Sequence, residues 1–140
     1  MGTVETFDHT ADVGLRVTAV DLDDLFRTAA EGVFDYVVAN REAVRTSERD
    51  VIVLEAEGPD DLLLAWLNEL IFRSETSHHL YTTFDVRVTD QGRRLIAEIQ
   101  GEPIDRIRHE LDHEVKAVTR HGLTVARVPE GWRAELILDI

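Results

Sequence analysis

Apolar residues switch between two spacings along this chain, and that alternation restricts the folds open to it. Val13, Leu15 and Val17 alternate with Gly14, Arg16 and Thr18, which is the two-residue period of a half-buried strand. Immediately afterwards Leu22, Leu25, Phe26, Ala29, Ala30, Val33 and Phe34 recur at helical spacing. Asp21 stands where the N-cap of that helix belongs, with Asp23 and Asp24 in its first turn. Residues 51–57 return to a strand pattern, and Gly58-Pro59-Asp60-Asp61 reads as a turn and cap. A second helix follows, with Leu62, Leu63, Trp66, Leu67, Leu70 and Ile71 along one stripe and His78-His79 beyond its C-terminal end. Asn68 and Glu69 interrupt the stripe and are assigned to the polar side of the helix; the alternative, since Asn is a poor helix former, is a specific contact by Asn68.

The rest of the chain is dominated by the shorter period. Phe84, Val86 and Val88 alternate, Asp90-Gln91-Gly92 is a hairpin turn signal, and Leu95, Ala97 and Ile99 continue in a second strand. Residues 104–112 are polar and fit neither period. Val115, Ala117 and Thr119 alternate up to a turn at His121-Gly122; residues 123–128 read as a strand, Pro129-Glu130-Gly131 as a turn, and 132–140 as the last strand. Two helices and seven strands joined by short connections predict an α+β fold. The expectation is a single two-layer domain over residues 1–140, with a mixed or antiparallel sheet carrying both helices on one face. Trp66 and Trp132 are assigned to its core.

Charge narrows the partners. With 28 Asp and Glu against 15 Lys and Arg, the formal net charge is -13. That field opposes direct high-affinity binding of nucleic acid, because phosphate neutralisation by Lys and Arg supplies most of such affinity. It suits a basic protein surface or a cation. The absence of cysteine excludes disulfides, thiol catalysis and Cys-ligated zinc, and it is compatible with a cytoplasmic location. The first residues hold no secretory signal pattern, and no apolar run reaches the length of a membrane span. Met1-Gly2 with Thr6 matches a myristoylation pattern, but no basic patch or second lipid signal accompanies it.

Several groups stand out chemically. Asp139 and the α-carboxylate of Ile140 are neighbours at one end of the chain, and His9-Thr10-Ala11-Asp12-Val13-Gly14 lies near the other. Taken alone, His9-x-x-Asp12 is open to three readings: a metal site, a catalytic dyad, or a turn whose side chains cap the backbone. If the ends meet, their carboxylates repel until a proton, a cation or a basic partner relieves them. Such a donor set is made of hard oxygens, which suit calcium, magnesium or manganese and not zinc. His9 suits a hydrogen bond to a neighbouring carboxylate better than calcium ligation. Lys116 lies in the alternating run Val115-Lys116-Ala117-Val118-Thr119, flanked by His113 and His121. In isolation it is an ordinary lysine on a solvated strand; near an acidic cluster it could neutralise charge or engage a phosphate. No glycine-rich phosphate loop, nucleophile elbow or H-E-x-x-H pattern is present.

Taken together, these strings resemble the archease family. They are His9-Thr10-Ala11-Asp12-Val13-Gly14, Trp66-Leu67-Asn68-Glu69-Leu70, Gly101-Glu102, Val115-Lys116-Ala117-Val118-Thr119-Arg120-His121 and the terminal Asp139-Ile140. One departure is Arg120, where the family pattern leads one to expect Tyr. The resemblance implies a strand-helix-strand-strand module with an inserted αβ unit. It implies a non-catalytic accessory protein for an RtcB-type RNA ligase in tRNA splicing and RNA repair, promoting ligase guanylylation by GTP and so multiple turnover. It further implies a divalent-cation site, calcium foremost, at Asp12, Asp139 and the Ile140 carboxylate. Lys116 takes the place of the family's functional lysine, with His9 and His121 in support. Two rival classes stay open: a stand-alone metal-dependent hydrolase using Asp12 and Asp139, and a general chaperone or protein-modifying binding module.

Overall fold

A computed structural model describes residues 2–9 and 12–140, without the side chains of Asp8 and His9. Its strands are β1 (Thr3–His9), β2 (Asp12–Ala19), β3 (Glu48–Glu55), β4 (His79–Thr89), β5 (Arg94–Pro103), β6 (Ala117–Val128) and β7 (Gly131–Asp139). Helix α1 (Leu22–Val37) follows β2, and helix α2 (Pro59–Ser77) follows β3. The class is α+β, as the alternating periods predict, but the strands form two antiparallel sheets. One has the order β1-β2-β7-β6, the other β3-β5-β4. Strands β2, β6 and β7 with α1 make a strand-helix-strand-strand module. The unit β3-α2-β4-β5 is inserted between α1 and β6.

Local chemistry explains the helix ends. The Asp21 carboxylate accepts the Asp24 backbone N–H at 2.8 Å, satisfying an amide that the helix itself leaves without a partner. Helix α2 starts with Pro59 just after Gly58, where a missing N–H costs nothing. His78 closes it in the left-handed conformation, at φ 55° and ψ 48°.

A single core joins both sheets and both helices. Leu15 and Val17 of β2 and Leu136 and Leu138 of β7 meet Phe26 and Phe34 of α1, Trp66 of α2, and Leu95 and Ile99 of β5. Trp66 donates its indole N–H to the Phe26 carbonyl at 3.0 Å, so the largest core side chain is also a polar tie between the helices. Trp132 differs from expectation: it is only partly buried on β7, with the Arg127 guanidinium over its ring, 5.4 Å from the ring centre. Among the described residues no helix is long and apolar enough to cross a membrane.

Among the described residues there are seven strands, though not the seven read from periodicity. Residues 3–9 form β1 on a sheet edge, where weak patterning in Thr3-Val4-Glu5-Thr6-Phe7 hid a strand. In the other direction, residues 115–119 and 123–128 belong to one strand, β6. The predicted turn at His121-Gly122 is a bulge in which residues 120–123 stand opposite Leu136 alone. Gly122 enters it at φ 76°, a conformation that favours glycine, and this is what mimicked a turn signal.

Asn68 follows the alternative reading and not the assignment to a merely polar helix side: it makes a pair of hydrogen bonds to the free edge of β6. Its amide nitrogen donates to the Val118 carbonyl at 3.0 Å, and its amide oxygen accepts the Val118 N–H at 2.8 Å. The side chain thus acts as one residue of an additional strand. Replacing Asn68 with Ala should cost about 2 kcal/mol, since two backbone groups lose their partners. Urea denaturation measures the loss, and hydrogen exchange should show it concentrated at Val118.

Candidate functional site

Antiparallel pairing of β2 with β7 brings the start of β2, at the β1–β2 hairpin, to the C-terminal end of β7. Val13 stands opposite Leu138 in this ladder, so one further step sets Asp12 alongside Asp139. The next strand over contributes the lysine. Ala117 pairs with Asp139, and the Lys116 backbone N–H donates to the Asp139 carbonyl at 2.8 Å. Asp12, Lys116, Asp139 and Ile140 therefore occupy one end of the four-stranded sheet, contributed by three adjacent strands. Asp12 is half-buried, whereas Lys116, Asp139 and Ile140 are exposed. Lys116 sits just before β6 and not within it, because the paired strand begins at Ala117.

The chemistry of this sheet end follows from like charge. Two carboxylates gathered at one sheet end repel each other unless something offsets them. Lys116 is one such group, and a hard divalent cation is another. Carboxylate oxygens such as those of Asp12 and Asp139 are hard donors of the kind that an oxygen-loving cation takes. Among the described residues, no three His, Asp or Glu side chains converge as a ready metal cage. The fit therefore depends on oxygens beyond the two Asp side chains.

The supporting histidines separate. His9 pairs with Asp12 across the β1–β2 hairpin, which puts its backbone at the same sheet end; its side chain, with Thr10 and Ala11, lies outside the described residues. His121 lies in the bulge of β6 opposite Leu136, three residues or about 10 Å along β7 from Asp139. Its backbone N–H bonds the Thr119 hydroxyl at 3.1 Å. Arg120, the departure from the family pattern, pairs with Asp61 in the first turn of α2. It points away from the sheet end and joins β6 to α2 instead.

One charged cluster escaped the sequence reading. Glu102 and His109 are both buried, at 5% and 3% exposure. Glu102 accepts from the Arg108 guanidinium at 2.6 Å, the Arg45 backbone N–H at 2.7 Å and His109 Nε2 at 2.8 Å. His109 Nδ1 accepts the Asp105 N–H at 2.9 Å, so the ring proton sits on Nε2 and is donated to Glu102. Beside Glu102, Gly101 lies so close to β4 that a Cβ there would fall 1.9 Å from the Leu80 carbonyl oxygen. The Gly101-Glu102 pair is thus a close backbone approach followed by a buried anion. Residues 104–112 matched neither period because this cluster, not an apolar face, holds them. Asn40 adds two bonds, to the Arg108 carbonyl at 2.9 Å and from the Glu110 N–H at 2.8 Å.

Burial alone would raise the Glu102 pKa. The hydrogen bonds from Arg108, Arg45 and His109 outweigh it and hold the carboxyl at about 2, below its ordinary 4.5. A depressed folded-state pKa gives stability that is whole above the unfolded value and is lost as pH falls toward the folded one. The Glu102→Gln protein should therefore be less stable at neutral pH by about 3 kcal/mol, through a broken buried pair. Between pH 4.5 and about 2 the gap to wild type should narrow. Urea midpoints measured across that window check both statements.

A two-sheet α+β module whose β2–β7 pairing gathers an acidic sheet end beside a lysine is the class of protein that the fold defines. Residues 5–140 match the model of the Archease protein family. The chain is 38% identical over 140 residues to protein archease of Methanopyrus kandleri, covering 97% of this chain and 98% of that one. It is 34% identical over 139 residues to protein archease of Pyrococcus abyssi, covering 97% of each. Its fold is similar to the solution structure of Methanobacterium thermoautotrophicum protein 1598, with a TM-score of 0.85, 33% identity and 98% of each chain covered. An archease of Thermotoga maritima shares the fold at 17% identity, with a TM-score of 0.66 over 97% of this chain and 96% of that one. This chain belongs to the archease family.

Proposed function

We propose that this protein is an accessory activator of an RtcB-type RNA ligase in the cytoplasm, serving tRNA splicing and RNA repair. It promotes guanylylation of the ligase by GTP and so sustains multiple turnover. The observation that carries this reading is the gathering of Asp12, Lys116 and Asp139 at one sheet end in a chain of the archease family. A net charge of -13 steers the protein toward a basic ligase surface, with an association rate that falls as salt rises. Lys116 presents a compact charge on a flexible stem, suited to a phosphate oxygen of the nucleotide held by the ligase. Asp12, Asp139 and the Ile140 carboxylate would hold a divalent cation, calcium foremost. When bound, that cation offsets the repulsion between the carboxylates and fixes the end of β7.

The decisive measurement is ligase guanylylation with the single variants Asp12→Ala, Lys116→Ala and Asp139→Ala. Each should lower the stimulated rate at least tenfold, about 1.4 kcal/mol or more, while circular dichroism shows an intact fold. Three folded variants that stimulate like wild type would sink the reading, and phosphoester turnover by the pure protein would favour a hydrolase instead.

Cation binding has its own readout. A ligand present at 100 times its Kd stabilises the folded state by about 2.7 kcal/mol. Calcium titrated into the wild-type protein should raise Tm by several degrees, and Asp12→Asn with Asp139→Asn should remove the shift. Residues appended after Ile140 displace the α-carboxylate, so a C-terminal extension should shrink the shift where an N-terminal one does not.

A further inference from the structure

A cleft of about 450 Å³ opens on the molecule beside the sheet end, and no step above uses it. Its lining is apolar: Val33 and Phe34 of α1, Leu80 of β4 and Val115 are buried beneath it, while the half-buried Val37 and Ile104 and the exposed Leu111, at 39%, present apolar surface to it. Its rim is charged. Glu75 of α2 and Asp112 and Glu114 of the segment before β6 stand against a single guanidinium, Arg106. The cleft also lies where both helices end, with Val37 closing α1 and His78 capping α2. Neither helix has a basic residue in its last turn, so the partial negative charge of each C-terminus is not offset from within its own helix. Three carboxylates and two helix ends thus favour positive charge at the mouth of an apolar hollow.

We infer that this cleft docks a short segment of a partner protein, one that buries an apolar side chain against Val37, Ile104 and Leu111 and presents Lys or Arg to Glu75, Asp112 and Glu114. Charge complementarity selects the occupant: an acidic segment would meet like charge on most of the rim, and a wholly apolar one would leave it unused. Position links the cleft to the sheet end. Its wall runs through Glu114 and Val115 directly into Lys116, whose N–H is bonded to Asp139. A segment held here therefore keeps its parent protein against the acidic sheet end. His113, also in this wall, is fixed by stacking on Tyr36 at 4.1 Å between ring centres, so the wall does not depend on the occupant for its shape. The inference rests on the activator reading only in naming the ligase as that parent.

Two probes test it. The first is a capped peptide bearing a leucine followed by two lysines, titrated into the methyl-labelled protein and followed by NMR. Methyl signals of Val37, Ile104 and Leu111 should move with a saturating dependence, and a counterpart with glutamates in place of the lysines should leave them still. Motionless cleft methyls, or equal shifts with the acidic counterpart, overturn the proposal. The second is the triple variant Glu75→Lys, Asp112→Lys and Glu114→Lys, set against a control with the same net charge, Glu57→Lys, Asp85→Lys and Glu130→Lys. The cleft variant should raise the Kd for the lysine peptide about tenfold, while the control stays near wild type; equal loss in both means long-range attraction only, and the docking site falls. A ligase that is stimulated while the peptide fails to reach the cleft ends the docking proposal and leaves the activator reading standing. A peptide that binds as stated while no RtcB-type ligase is stimulated does the reverse.

Discussion

Pairing of β2 with β7 is the interaction on which the rest depends. Those strands lie far apart in sequence, and their antiparallel ladder closes the module across the whole inserted unit. Register in such a ladder is unforgiving, because a slip of one residue turns every side chain to the other face. Here it is pinned on both faces. Leu15, Val17, Leu136 and Leu138 enter the core, while on the opposite face Arg16 joins Glu135 at 3.0 Å and Glu5 at 3.1 Å across three strands. The same register that buries the leucines sets Asp12 alongside Asp139. Core packing thus fixes the geometry of the acidic sheet end, even though those carboxylates add repulsion to the fold.

The inserted unit contributes to that sheet end without entering it. Trp66 ties α2 to α1 through the Phe26 carbonyl, and Asn68 holds the free edge of β6 at Val118, two residues beyond Lys116. Arg120 adds a second link, to Asp61. These contacts place the start of β6 relative to both layers. On the other side, the Glu102 cluster anchors residues 104–112, which form the wall leading to Lys116. Lys116 is consequently held from two directions by polar groups whose loss would leave buried atoms unpaired.

Legibility in the sequence followed the strength of local patterning. Helices α1 and α2 announced themselves, because an amphipathic stripe, an N-cap Asp and an N-terminal Pro are all local signals. Strand β1 did not: an edge strand with one half-exposed face carries little alternation, as Thr3 to Thr6 show. Gly122 gave a true local signal with an ambiguous meaning, since a left-handed glycine serves a bulge as well as a turn. For the candidate site, the residue types at Asp12, Lys116 and Asp139 were readable and drew meaning from their resemblance to a family. Glu102, Arg108 and His109 were not readable as a group, because a buried charge is defined by neighbours that no spacing rule predicts.

The sequence by itself determined the two helices, the strand-rich remainder, an acidic surface and the resemblance to the archease family, because each rests on composition or on short strings read in order along the chain. Tertiary structure alone decided that the strands divide into two sheets, that Asp12 and Asp139 come to the same end of one sheet, and that the ends of α1 and α2 frame an acid-rimmed cleft. Those outcomes depend on which distant strands pair and in what register. Register is settled by burying one face of each strand in a common core, a condition that acts on the whole molecule at once and leaves no mark at any single position.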